Sequence, residues 1–406
     1  MTLGVGGCTP EQALAGLRDM TDGVAPIGLD EHRGRVADLQ RRLREQGLAA
    51  AFVDAGSHLR YFSGLKWSPS ERLVGLLVPA EGAPLYLAPA FEDGTVRDLQ
   101  VLPGDVRTWQ EHESPYRLLV DTLVGLGVPA NARVGLCPSL PFGMAERLRE
   151  VAGSLRLVDA SQAVEPGRQR KSRAELALMQ RAKDMTLEVH KAAASILHEG
   201  ITPGEVTRFI EAAHRRAGAP GSTFCIVLFG EDSAFPHGVR EPRPLREGDM
   251  VLIDTGCQLH GYNSDITRSY VFGTPSERQR RFWNLEKAAQ QAAFDAAALG
   301  QPCQAADAAA RRCLEAAGLG PDYALPGLPH RTGHGIGLDI HEGPYLVRGD
   351  QTPLDVGMCF SNEPMICVPG EFGIRLEDHF YMSAEGPRWF TRPSHSIDDP
   401  FGLAQA

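Results

Sequence analysis

The chain has 406 residues, 43% of them hydrophobic and 23% charged, and carries a formal net charge of -10. That length allows two or three domains of roughly 100–200 residues, each able to bury a core and so to carry an enzyme. The acidic balance, with its Lys and Arg scattered, argues against nucleic acid as a partner, and no apolar run approaches the roughly 20 residues that cross a bilayer, so a small-molecule partner and no membrane association are expected.

Near the start, Cys8 follows "LGVGG" without a basic segment or an apolar stretch of roughly 7–15 residues before it, so it does not read as a lipoprotein cleavage site. From about Glu31 to Gln46 the apolar spacing predicts an amphipathic helix closed by Gly47. A short strand is expected in "LAAAFVDA", and further strands in "RLVGLLVPA" and "APLYLAP", which together indicate a mixed α/β first domain. Pro166 and Gly167 then interrupt regular structure, and Ser172 with Glu175 forms a capping box that opens a long helix. The boundary is placed there, giving domains 1–165 and 166–406. The alanine-rich stretch from Ala288 onward reads as two helices broken around Gly300 and Pro302. The cysteines from Cys137 to Cys367 are far apart and form no C-x-x-C pair, which fits reduced, buried thiols in the cytosol.

The segment from Met250 to Phe272 has two β-prone runs joined by the polar "QLHGYN", a hairpin pattern. With the turn centred near residues 259–260, Asp254 and Asp265 are expected almost opposite each other, their Cβ atoms about 4.5–5.5 Å apart. Opposed like charges are destabilising unless a cation lies between them or both face water on an exposed surface. In "RTGHGIGLDIHEGP", glycines surround His334, deny it a helix and let the backbone approach something closely. Its i, i+4 relation to His330 is therefore not that of a zinc-protease helix, and a purely structural histidine is the alternative. Glu363 and Glu377 each lie in an apolar, strand-like run, where carboxylates are rare unless paired or metal-bound. Arg375 offers Glu377 a salt bridge on the same strand face, whereas Glu363 has no local partner. Asp254, Asp265, His334, Glu363 and Glu377 together make four carboxylates and one imidazole. Two divalent ions would cancel that charge, with Mn²⁺ the first choice and Zn²⁺, Co²⁺ or Fe²⁺ as alternatives. Such a pair, about 3.5–4 Å apart, would acidify a bridging water into a hydroxide nucleophile.

The order of "FPHG" (Phe235–Gly238), "DTG" with "SDITR", "RTGHGIGLDIHEGP", "SNEP" and "GIRLED" resembles the pita-bread-fold metallopeptidases, which include Xaa-Pro dipeptidase (prolidase), aminopeptidase P and methionine aminopeptidase. The resemblance runs from about Arg170 to Met382, and residues 1–165 resemble the smaller creatinase-like N-terminal domain of prolidases and aminopeptidase P. The fold it implies is α/β (α+β), a pita-bread catalytic domain preceded by that smaller α/β domain. It further implies that Asp265 and Glu377 bridge two metals, Asp254 serving one ion and His334 and Glu363 the other. Glu363 would also shuttle the proton; His237 and His341 would assist catalysis, His330 would contact substrate, and Arg375 would hold the bridging glutamate. The implied reaction is hydrolysis of the bond before proline in Xaa-Pro dipeptides by a homodimeric cytosolic enzyme. Arg348 is the expected anchor for the proline carboxylate. Aminopeptidase P activity on longer peptides, or a lyase or binding protein of the same fold, are the alternatives.

Overall fold

The computed structural model describes residues 1–405 and divides into two compact units, Pro26–Arg168 and Met1–Ala25 with Gln169–Ala406.

In the smaller unit six strands form one sheet: β1 (Ala50–Asp54), β2 (Gly75–Pro79), β3 (Leu85–Pro89), β4 (Asp105–Trp109), β5 (Arg133–Leu136) and β6 (Arg156–Asp159). Their order is β4-β3-β2-β1-β5-β6; β2 runs antiparallel to its neighbours and the remaining pairs are parallel. The first amphipathic helix spans Leu29–Glu45 and buries Val36, Leu39 and Leu43 at the expected helical spacing. All three strand expectations made for this region correspond to β1, β2 and β3.

The larger unit opens with helix Arg173–Ser195, whose N-terminus carries the capping box in full, Ser172 and Glu175 satisfying each other's backbone N–H groups. Its strands are β7 (Ser222–Phe229), β8 (Met250–Leu259), β9 (Tyr262–Asn263), β10 (Ile266–Val271), β11 (Gly333–Gly335), β12 (Glu342–Leu346), β13 (Cys359–Asn362), β14 (Met365–Val368), β15 (Phe372–Arg375), β16 (Asp378–Ser383) and β17 (Gly386–Trp389). One sheet has the order β10-β8-β7 with β9 paired to β8, a second the order β12-β11-β13-β16-β17, and β14 pairs with β15. The alanine-rich stretch forms helices Glu277–Ala296 and Gln304–Ala316, and Ala289, Ala293, Ala306 and Ala310 are buried with Phe360 and Phe380 in one core. Small side chains let these helices approach closely, which accounts for the bias in composition.

The expected division at residue 165 placed the first 25 residues with the N-terminal domain, whereas they group with the larger unit. Their helix Pro10–Gly16 lies against helices Arg173–Ser195 and Pro203–Arg216, and the N–H groups of Thr2 and Gly6 donate to the carbonyls of Gly273 and Ala194, each at 2.9 Å.

Candidate metal centre

The β8–β10 hairpin turns at His260 and Gly261, whose φ angles of 48° and 95° make a tight two-residue turn between Leu259 and Tyr262. That centre lies one residue beyond the expected one, so Asp254 faces Thr267 and Asp265 sits diagonally across from it, not opposite. A displacement of two residues preserves the face because strand side chains alternate with period two. Both carboxyls are buried and near enough to interact by hydrogen bonding.

Two further carboxylates come from breaks between strands. Glu363 follows β13 and Glu377 precedes β16, and their backbone N–H groups are held by the carbonyls of Thr332 (2.8 Å) and Thr267 (3.1 Å). Thr267 then donates its hydroxyl to Glu377 Oε2 at 2.7 Å, while Arg268 donates to the Glu377 carbonyl at 2.8 Å and pairs with buried Asp378 at 2.7 Å. These contacts join the hairpin to the second sheet.

His334 lies on β11, where a bulge separates it from Gly335. Its glycine neighbours are required by close approach: a Cβ on Gly333 would fall 2.1 Å from the Ser361 carbonyl oxygen, and one on Gly335 2.5 Å from that of Glu342. His334 Nδ1 is 3.0 Å from the Gly335 carbonyl, which only accepts, so Nδ1 carries the proton. Nε2 then points its lone pair at Glu363 Oε1, 3.1 Å away, with Asp265 at 3.8 Å. Two acceptors so close require a proton or a cation between them. Buried oxygens without hydrogen-bond partners add to this requirement: Asp254 Oδ1, Asp265 Oδ1 and Glu377 Oε1. Ligand atoms of His334, Glu363 and Glu377 fall within 4.8 Å of one another. Oxygen donors with an imidazole whose free nitrogen faces them fit a divalent ion.

Burial, reinforced by neighbouring carboxylates, pushes Asp265 and Glu377 well above their ordinary range and raises Asp254. Burial also acts to raise Glu363, but a proton placed between it and His334 Nε2, then the positive charge of Arg375, outweigh burial and hold this carboxyl low. Arg375 is buried beside them; it donates to Asp254 Oδ2 at 2.5 Å and to the Thr267 hydroxyl at 3.0 Å. The sequence favoured Glu377 as its partner, but the direct ion pair is with Asp254, and Glu377 is reached through Thr267.

These residues line one cavity of about 830 Å³ together with His237, His330 and His341. Burial, then the adjacent His334, lowers the His341 pKa to about 4, so this ring is neutral at pH 7. Its Nδ1 is 3.3 Å from the Arg331 guanidinium and must accept, leaving Nε2–H as a donor. His330 donates from Nδ1 to the Arg331 carbonyl at 2.7 Å, so its buried and unpartnered Nε2 is an acceptor.

Arg348 does not line this cavity. The chain after β12 carries it to an exposed position beside helix Gln304–Ala316, where Asp322 neutralises it. The cationic side chain at the cavity wall is instead Arg331, stacked 4.4 Å from the Tyr345 ring centre. Sequence reasoning gave no role to Arg331, Thr267 or His379. The i, i+2 spacings Asp265-x-Thr267 and Glu377-x-His379 are the signals that would have found the last two.

Comparison with known proteins agrees with this architecture. The chain matches Metallopeptidase family M24 over residues 177–384 and the Creatinase/Prolidase N-terminal domain over residues 35–170. It is 33% identical to the putative dipeptidase YkvY of Bacillus subtilis, covering 87% of this chain and 96% of that protein. It is 30% identical to an Xaa-Pro dipeptidase of Pyrococcus furiosus, covering 89% and 99%. Among solved structures, dipeptidase PepE of Mycobacterium ulcerans superposes with a TM-score of 0.84 at 33% identity, covering 92% of this chain and 99% of that one.

Proposed function

The chain belongs to metallopeptidase family M24, and on that premise we propose that it is an exopeptidase hydrolysing the bond before proline in Xaa-Pro dipeptides. The observation that carries this reading is the cavity itself, with five candidate ligands at the floor, three histidines along the wall and Arg331 beside them. Among the described residues Arg331 has no carboxylate partner, so it is the cation left to receive a free C-terminal carboxylate. Phe224, Ile226, Pro329 and Ile340 give the same cavity apolar surfaces suited to a pyrrolidine ring.

Asp254, Asp265, His334, Glu363 and Glu377 would hold two divalent ions, Mn²⁺ being the first candidate. When bound, such ions supply Lewis-acid polarisation of the scissile carbonyl and lower the pKa of water toward about 7. His341 donates its Nε2–H to the carbonyl oxygen as negative charge develops there. Glu363, ionised at neutral pH, accepts a proton from the attacking water and passes it to the proline nitrogen as the C–N bond breaks. His330 Nε2 is an acceptor for a substrate N–H, and His237 supplies a second polar contact at the mouth. Arg375 fixes the orientation of Asp254.

Hydrolysis of Ala-Pro and Ala-Pro-Ala, measured side by side with Mn²⁺-loaded and EDTA-treated protein, tests the reading. Metal-dependent cleavage of the dipeptide alone is expected. Efficient cleavage of the tripeptide means an aminopeptidase with an open far end, and cleavage of neither overturns the assignment. Eight free cysteines, most of them buried, support a cytosolic location. The homodimer is tested by light scattering, where a mass near 44.0 kDa would contradict it.

A further inference from the structure

Residues 377–379 divide by the two-residue period of extended chain. Asp378 turns to one side and pairs with Arg268, also accepting from Thr391 and Gln290. Glu377 and His379 share the other side. In the sheet His379 pairs with Ser361, whose hydroxyl accepts the His334 N–H and donates to Glu363 Oε1. The backbone thus fixes the His379 ring directly behind the carboxylate cluster.

His379 is completely buried, and neither ring nitrogen has a hydrogen-bond partner. Its Nε2 lies 3.9 Å from Glu377 Oε1, and ligand atoms of Asp265, Glu377 and His379 are all within 4.8 Å of one another. Asp265 Oδ1 and Glu377 Oε1 are themselves buried and unpartnered. Leaving a buried polar group unsatisfied is costly, so three around one point make an unfavourable arrangement unless something positive binds among them. An apolar or hydroxyl side chain would fill this strand position without that cost. The imidazole makes sense as a donor.

We propose that His379 is a sixth protein ligand of the metal centre, coordinating the ion held by Asp265 and Glu377. The inference rests on the metal-binding reading above and deepens it: the centre becomes four carboxylates with two imidazoles. A second nitrogen donor moves the preference from Mn²⁺ toward Zn²⁺, Co²⁺ and Fe²⁺.

X-ray absorption at the zinc edge of the wild-type chain loaded with two equivalents of Zn²⁺ counts the imidazoles. Two rings for two ions are expected, and a single ring overturns the proposal. His379→Gln and His379→Ala should each bind one of the two ions at least about 10-fold more weakly by calorimetric titration and change the visible spectrum of the Co²⁺-loaded protein. Two ions bound with unchanged affinity and an unchanged cobalt spectrum overturn it as well. If either variant does not fold, by circular dichroism, the wild-type ring count decides. Absence of any bound ion in the wild-type chain defeats the metal-binding reading itself, an outcome distinct from a bound pair with one imidazole.

Discussion

At the floor of the cavity Asp254, Asp265 and Glu377 are buried, and among the described residues Arg375 is the only guanidinium paired with one of their carboxylates. At the mouth His237 and His341 are exposed, Arg331 is half-buried, and the ring nitrogens of His330 and His341 are donors or acceptors of neutral imidazoles. The floor therefore holds more carboxyl groups than its own cations can pair, whereas the mouth offers hydrogen-bonding side chains and one cation. On the proposed function the two regions take different ligands, cations below and a peptide with a free carboxylate above.

Glu363 faces both regions, so its removal should have the largest effect. Glu363→Ala should reduce hydrolysis by at least about 10²–10⁴-fold with an unchanged circular dichroism spectrum. Near-normal turnover by a folded, metal-loaded variant would remove Glu363 from the proton path.

A second test belongs to the floor alone. Arg375→Leu leaves Asp254 buried without its partner and should destabilise the metal-free chain by about 3–5 kcal/mol in urea titrations. A loss below about 1 kcal/mol would show that the floor tolerates the unpaired acid.

The floor should also respond to pH with a definite sign. Asp265 and Glu377 have raised pKa values when folded, so their contribution to stability is complete below the ordinary values of 3.8 and 4.5 and is lost as pH rises through the raised values. Glu363 acts in the opposite direction, stabilising above 4.5 and losing that contribution as pH falls toward its depressed value. With two groups raised well above the ordinary range, the melting temperature of the metal-free chain should fall relative to the metal-loaded chain as pH rises above 4.5. A constant gap between the two forms would contradict this account of the floor.

The smallest effects concern the mouth. Arg331→Leu should raise KM for Ala-Pro by roughly 10–100-fold, the loss of a charged hydrogen bond worth about 1.5–3 kcal/mol, while leaving stability nearly unchanged. Arg348→Ala should alter neither KM nor stability by more than about 1 kcal/mol, because it removes only an exposed ion pair. An effect on KM from Arg348→Ala equal to that of Arg331→Leu would reverse the assignment.

The ligand candidates were legible because their placement follows from short-range rules. Period two kept Asp254 and Asp265 on one face even though the turn centre lay one residue away from its expected place. Burial of Glu377 and partial burial of Glu363 followed from apolar neighbours, but their location at strand breaks depends on β13–β16 pairing, which local pattern does not encode. Arg348 lies away from the cavity and Arg331 on its wall for a similar reason. Sequence distance from His341 says nothing about the path of the chain after β12, whereas the pairing of β11 with β12 brings Arg331 over Tyr345. The grouping of the first 25 residues with the larger unit rests on long-range backbone hydrogen bonds such as Thr2 to Gly273, which no periodicity announces.

The most direct test of the central claim is the number of divalent ions bound by the purified chain, read by calorimetric titration of the EDTA-treated protein and confirmed by elemental analysis. Two ions per chain are predicted, with affinity for at least one of them lost in Asp265→Ala. A chain that binds no divalent ion, or one whose binding is unchanged by that substitution, would contradict the assignment of the cavity floor.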